Sequence, residues 1–447
     1  MAASIYDSAI YRDLMTDREF AALFTDTAEV RAMMIVEGAL AKAQGALGVI
    51  PELSAKAIHR ASLEVQIDPA GLSPATGQNA VVVPALVAAF RDAMQAPEHA
   101  PYLHFGATSQ DIMDTGLVLR LRQVLTLTET RLRAILTALA DLAETHAATP
   151  MAGRTYGQVA TPTSFGAVVA SWGLPLIDLL DRLPALRATV LQISLTGAAG
   201  TLSAMGREAA NVRAEMAKGL GLKDSGQSWH STRHGFAELA GWITQVTVQL
   251  GKLGEDLCLM TQTGINEIAL PASGGSSTMP QKQNPVLPSV LTAIARQMVG
   301  LNSVIQMAAL HRQQRDAGAW ISEWMTLPQM CMGLGRALAI GVDLAGGMRP
   351  LPDRMLAQID DGTGLIYAEA LQFRLAAHIP RPQAQQMVKD LCKSVMAGQG
   401  NLAALAADTW PDIDTAEVFD PTRQLGEAPE MARRFAKASR NPNAAQE

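Results

Sequence analysis

The stretch Gly274-Gly275-Ser276-Ser277-Thr278-Met279-Pro280-Gln281-Lys282-Gln283-Asn284-Pro285, GGSSTMPQKQNP, separates two long segments whose apolar residues recur at helical spacing. Glycines, hydroxyls and prolines at this density end one helix and begin another. Taken alone, the stretch reads either as a flexible Gly/Ser linker or as a ligand-binding loop. Met279, Pro280, Asn284 and Pro285 restrict its freedom, and Pro285 is placed to start the following helix. The GxxxxGK[ST] spacing of a phosphate loop is absent, and no strand pattern precedes it.

Outward from this joint the chain reads as helix. Apolar residues Leu117, Leu121, Val124, Leu125, Leu132, Ile135, Leu136, Leu139 and Leu142 recur at three- and four-residue steps, with Arg120, Arg122, Glu129, Arg131 and Arg133 largely between them. This predicts one amphipathic helix over 111–146, about 50 Å long at 1.5 Å per residue. Similar patterns cover about 162–193, 233–263, 285–310 and 318–344. With 48% apolar but only 4% aromatic residues, the composition is that of an all-α bundle. Prolines break the flanking segments into shorter helices. Boundaries near 108 and 348 therefore divide the chain into an N-terminal helical domain (1–108), a central long-helix bundle (109–348) and a C-terminal helical domain (349–447). The run GAVVASWGLPLI, 166–177, is apolar nearly all round, so a lone copy of the bundle would leave it uncovered, and oligomerisation is expected.

Several function classes are disfavoured. A net charge of −6 with no basic stripe argues against nucleic acid and anionic membrane surfaces. The uncharged span from Thr155 to Ile177 carries Gln158, Pro162 and Ser164, and reads as a loop entering a buried helix rather than a membrane span. Asp7 precedes the first basic residue, Arg12, which is the wrong order for a secretory signal and points to the cytoplasm. Cys258, Cys331 and Cys392 lack ligand spacing and read as packed thiols. The eight histidines are scattered, so no metal site is expected.

Two further polar islands interrupt the helical pattern. Leu103–Asp111 precedes the first long helix. Thr108 or Ser109 can cap that helix, with Asp111 favouring its dipole, and the same geometry can receive a carboxylate. Gly153–Pro162 reads as a polar loop feeding a Pro-initiated helix, with Arg154 either a surface cation or a carboxylate ligand.

Together, GSSTMPQKQNP, HFGATSQDIMDT and GRTYGQVATPTSFG resemble the fumarase/aspartase superfamily over nearly the whole chain. ATSQDIMDTGLVLRLR, SWHSTR, WISEWMTLP and GLIYAEA are similar to local patterns of its bacterial muconate cycloisomerase branch. The resemblance implies a three-domain all-α fold and a homotetramer whose active sites are each built from three subunits. It also implies a cofactor-independent reaction on a small polycarboxylate. The implied chemistry is closure of 3-carboxy-cis,cis-muconate to 4-carboxymuconolactone through a carbanion, in aromatic catabolism. The alternative is a C–N or C–O lyase that releases fumarate from a substituted succinate.

By the same resemblance Ser276 transfers the proton, while Lys282 and Asn284 grip the carboxylate beside the carbanion. Thr108, Ser109, Arg154, Thr155, Tyr156, Gln158 and Arg315, with His104, surround the substrate. His230 and His311 read as structural histidines that could approach the site. A serine hydroxyl can do this work only if backbone N–H groups and a cation hold its alkoxide. Where the elimination enzymes carry histidine and the cycloisomerases tryptophan, this chain has Tyr156, and Gln281 and Gln283 replace histidine and arginine. Ring closure tolerates the missing histidine, because the nucleophile is the substrate's own ionised carboxylate and only one proton transfer remains.

Overall fold

The computed structural model describes residues 4–275 and 278–441. The described chain runs through α1 (Asp26–Ala46), α2 (Glu52–Glu64), α3 (Ser109–Thr145), β1 (Pro150–Thr155), β2 (Gln158–Ser164), α4 (Phe165–Asp181), α5 (Leu183–Val190) and α6 (Ala209–Leu220). It continues through α7 (His234–Met260), β3 (Ile268–Ala269), α8 (Val286–Ala308), α9 (Ala317–Gly347), β4 (Arg349–Pro350) and the C-terminal α10 (Arg381–Met396) and α11 (Ala428–Arg440), with shorter helical turns between. The all-α expectation holds, since among the described residues the strands form only two small antiparallel pairs, β1–β2 and β3–β4.

Four of the expected long helices stand within a few residues of their sequence boundaries, as α3, α7, α8 and α9. The fifth, expected over 162–193, differs. Its first residues belong to β2, whose Pro162 pairs with Ala152. The helix begins only after Ser164, whose Oγ accepts from Ala167 N at 3.2 Å. It then breaks at Asp181, and α5 restarts with Pro184 in its first turn, where the N–H that proline lacks has no partner within the helix. The island Gly153–Pro162, expected as a loop, is therefore part of a β-hairpin over 150–164.

The chain divides into two compact units. One comprises Met1–Arg131, Arg182–Val248 and Ile294–Ala339; the other comprises Leu132–Asp181, Gln249–Ala293 and Ile340–Glu447. In the first unit α1 buries Val30, Met33, Met34, Val36 and Leu40. It crosses α2 where Gly38 meets Ser62 so closely that a Cβ would lie 2.0 Å from the serine Oγ. In the second, Phe435 of α11 fills the notch left by Gly173 of α4, where a Cβ would sit 2.1 Å from the ring. That glycine permits a fully buried aromatic, worth about 1.5–3 kcal/mol in transfer free energy. A separate cluster of Tyr367, Leu371, Leu375, Val388, Leu402 and Ala406 packs beside Ala152 of β1.

Helix α9 is long and apolar enough to cross a membrane by length and composition alone, but most of that stretch is buried inside the protein. It also carries Glu323 in a buried ion pair, as a core helix would.

Candidate active site

The first constellation forms in the first unit at the start of α3. Asp111 is wholly buried, and its carboxylate accepts from Thr108 N (3.0 Å), Thr196 N (2.8 Å) and Gly197 N (2.9 Å) while meeting His230 Nε2 at 2.9 Å. Burial alone would raise the pKa of Asp111. The hydrogen bond and charge of His230, with the amides of Thr196 and Thr108, outweigh it and hold the carboxyl below its ordinary value. Asp111 thus does more than favour the helix dipole: it fastens the first turn of α3 to the 194–197 segment and to His230.

Gln110, also buried, donates Nε2 to the His230 carbonyl at 3.0 Å and accepts Arg315 Nε at 2.7 Å. Arg315 reaches Thr108 Oγ1 at 3.4 Å and the Ala198 carbonyl at 3.3 Å. Thr108, Ser109 and Arg315 remain partly exposed around this anchored core. Two hydroxyls and a guanidinium at a helix N-terminus can receive a carboxylate.

His104 sits just before them in a left-handed conformation (φ 64°), its Nδ1 2.6 Å from Oε1 of the buried Glu37. Burial opposes the charged imidazole, but the charge and hydrogen bond of Glu37 prevail and raise the pKa of His104 above its ordinary value.

Beneath these groups Arg233, buried, forks onto Asp114 (2.6 and 3.1 Å) and Glu323 (2.5–3.2 Å). Trp320 Nε1 donates to Asp114 at 3.2 Å. His311 Nε2 lies 3.8 Å from Glu323, beyond hydrogen-bonding distance. The two carboxylates compensate the buried guanidinium and join α3, α9 and the start of α7.

The second constellation lies in the second unit. Tyr156 (φ 51°) and Gly157 (φ 73°) form the two-residue turn of the β1–β2 hairpin, as left-handed pairs do. The Tyr156 side chain projects fully into solvent. Thr155 and Gln158 face each other across the strand ends. Arg154 is already engaged, Nη1 and Nη2 donating to Oε2 and Oε1 of the buried Glu267 at 3.0 and 2.8 Å. Its side chain keeps 26% exposure, so only its outer edge can meet a further carboxylate.

The loop from Gly274 to Asn284 is closed at its base. Gly274 N donates to Asn284 O at 2.9 Å and Asn284 N to Gly274 O at 2.8 Å. A Cβ at Gly274 would lie 2.6 Å from Val286, so the glycine permits this closure. Asn284 Nδ2 donates to Gly275 O at 3.4 Å, and Lys282 stands exposed after a turn closed by its own N–H onto Met279 O. A loop pinned at both ends is not an extended linker. Ser276 lies outside the described residues.

Glu37, Gln110, Arg233, Asp114 and Glu323 escaped the sequence reading as site components. Glu37 alone carried a local signal, a carboxylate within the apolar run MMIVEGALA. Among the described residues no group of three or more His, Cys, Asp or Glu side chains could hold a metal ion.

Residues 11–300 match the family described as Lyase. The 3-carboxy-cis,cis-muconate cycloisomerase of Pseudomonas aeruginosa is 37% identical, over 91% of this chain and 91% of its own. The nitrosuccinate lyase of Streptomyces davaonensis is 33% identical over 97% and 95%. The crystal structure of the 3-carboxy-cis,cis-muconate lactonizing enzyme from Pseudomonas putida superposes with a TM-score of 0.93 at 33% identity, covering 98% of this chain and all of that one.

Proposed function

The chain belongs to the lyase family, within the fumarase/aspartase superfamily, and from that premise we propose that it is a 3-carboxy-cis,cis-muconate cycloisomerase of aromatic catabolism. The full-length likeness to the lactonizing enzyme carries this reading. In the reaction a substrate carboxylate oxygen adds to the conjugated double bond, forming one C–O bond. The displaced electron pair moves onto the carbon beside a second carboxylate, and one proton then completes the lactone. Ser276 supplies that proton, and Lys282 and Asn284 hold the carboxylate on which the negative charge accumulates. Thr108, Ser109 and Arg315 receive another carboxylate at the α3 N-terminus, with His104 adding positive charge nearby. Arg154, Thr155, Tyr156 and Gln158 line the site from the hairpin tip.

The exposed Leu310, Met307, Met325 and Val299 on or beside the long helices support burial between subunits. They fit a homotetramer in which three chains complete each site. A three-domain division near 108 and 348 and a cytoplasmic location complete the proposal.

Running the reaction in D2O tests the chemistry. One solvent deuteron should appear on a carbon next to a carboxylate in the lactone, and unlabelled lactone would contradict the proposal. The nitrosuccinate lyase likeness favours a second reading, β-elimination from a substituted succinate, which fumarate release would reveal.

A further inference from the structure

A cavity of about 470 Å³ opens in the first unit between α1, α3 and α6, lined by Arg31, Arg120, Arg122 and Gln123 with apolar walls from Ile35 and Leu119. None of these residues belongs to the candidate active site. Arg120 is 92% buried (8% exposed), and its Nε has no hydrogen-bond partner. Its one ion pair, Nη1 to Glu29 Oε2, is 3.5 Å long, and its guanidinium otherwise packs 5.5 Å from the Phe24 ring centroid.

The other two arginines are anchored at helix ends. Arg31 donates to the carbonyls of Ser62 (2.6 Å) and Leu63 (3.0 Å), and Arg122 to that of Leu220 (2.6 Å). Each guanidinium has five N–H donors, and these bonds hold the two heads at the cavity without neutralising either. Of the three guanidinium groups lining the cavity, Arg120 meets a carboxylate, Glu29, while Arg31 and Arg122 are held by backbone carbonyls. A buried cation is stable only when paired, and here the pairing is incomplete.

We propose that this cavity is a second anion site, taking a small oxyanion with at least two negative charges, such as a phosphorylated or polycarboxylate metabolite. Arg120 supplies the buried charge at its floor, while Arg31 and Arg122 supply further donors at its walls. Occupation fastens α1, α3 and α6 to one another.

The test is the thermal midpoint of the full-length protein titrated with inorganic phosphate or tricarballylate, at ionic strength held constant with sodium chloride. Wild type should gain stability with one or both anions, and the anion that acts identifies the ligand class. Arg120→Met should weaken the apparent affinity about tenfold or more, keep its turnover, and be at least as stable as wild type without anion. Arg122→Gln, which can still donate to Leu220, should weaken binding in the same direction and serves as the reading if Arg120→Met does not fold. Arg315→Met should keep the part of the wild-type shift that Arg120→Met removes, because Arg315 belongs to the other site. No shift in wild type, a shift unchanged in Arg120→Met, or one abolished by Arg315→Met would overturn the proposal.

Discussion

The start of α3 and the loop from Gly274 to Asn284, each assigned a substrate contact in the proposed function, are built in opposite ways. At the first, Asp111, Gln110 and His230 are buried and mutually hydrogen-bonded, so Thr108 and Arg315 are positioned before any ligand arrives. At the second, one bridge closes the base and Lys282 faces solvent. The difference separates two tasks. A carboxylate cradle gains from preorganisation, whereas a cation left exposed on a loop stays uncommitted until a ligand reaches it.

Breaking the loop should cost chemistry and not stability. Ser276→Ala should lower kcat by roughly 10²–10⁴-fold, with the denaturation midpoint unchanged. Breaking the cradle should do the reverse first. Asp111→Ala leaves His230 and three backbone amides without their acceptor and should cost about 3–5 kcal/mol in chemical denaturation; a loss below about 1 kcal/mol would show that the α3 start is not the rigid partner. Lys282→Met should reduce kcat/KM by about 10²–10³-fold, while stability stays within about 0.5 kcal/mol.

The smallest effect concerns pH. Because the folded pKa of His104 is raised, its pairing with Glu37 contributes stability that is fully present below the unfolded value of about 6.5. That contribution is lost as pH rises through the higher folded value. His104→Gln should flatten this part of the stability profile. The depressed carboxyl of Asp111 works in the opposite sense. Its contribution is present above about pH 4 and disappears as pH falls through the lower folded value, so it should survive His104→Gln.

What could be read from sequence follows the range of each interaction. Helices α3, α7, α8 and α9 were legible because their apolar periodicity is local. The loop joint was legible because Pro285 and the glycines act on their immediate neighbours. The β1–β2 hairpin was not, since Tyr156-Gly157 is a weaker turn signal than Asn-Gly and Pro162 suggested a helix start. Arg233 joins Asp114 and Glu323 across 119 and 90 residues, and His104 meets Glu37 across 67. No spacing rule anticipates such pairs, because the packing of α1, α3, α7 and α9 creates them.

The most direct measurement is the diene absorbance of 3-carboxy-cis,cis-muconate mixed with the purified protein. Absorbance should fall as lactone accumulates in equal amount, with wild type active and Ser276→Ala nearly inert. Unchanged absorbance, with fumarate released from nitrosuccinate or another substituted succinate, would contradict the proposed function.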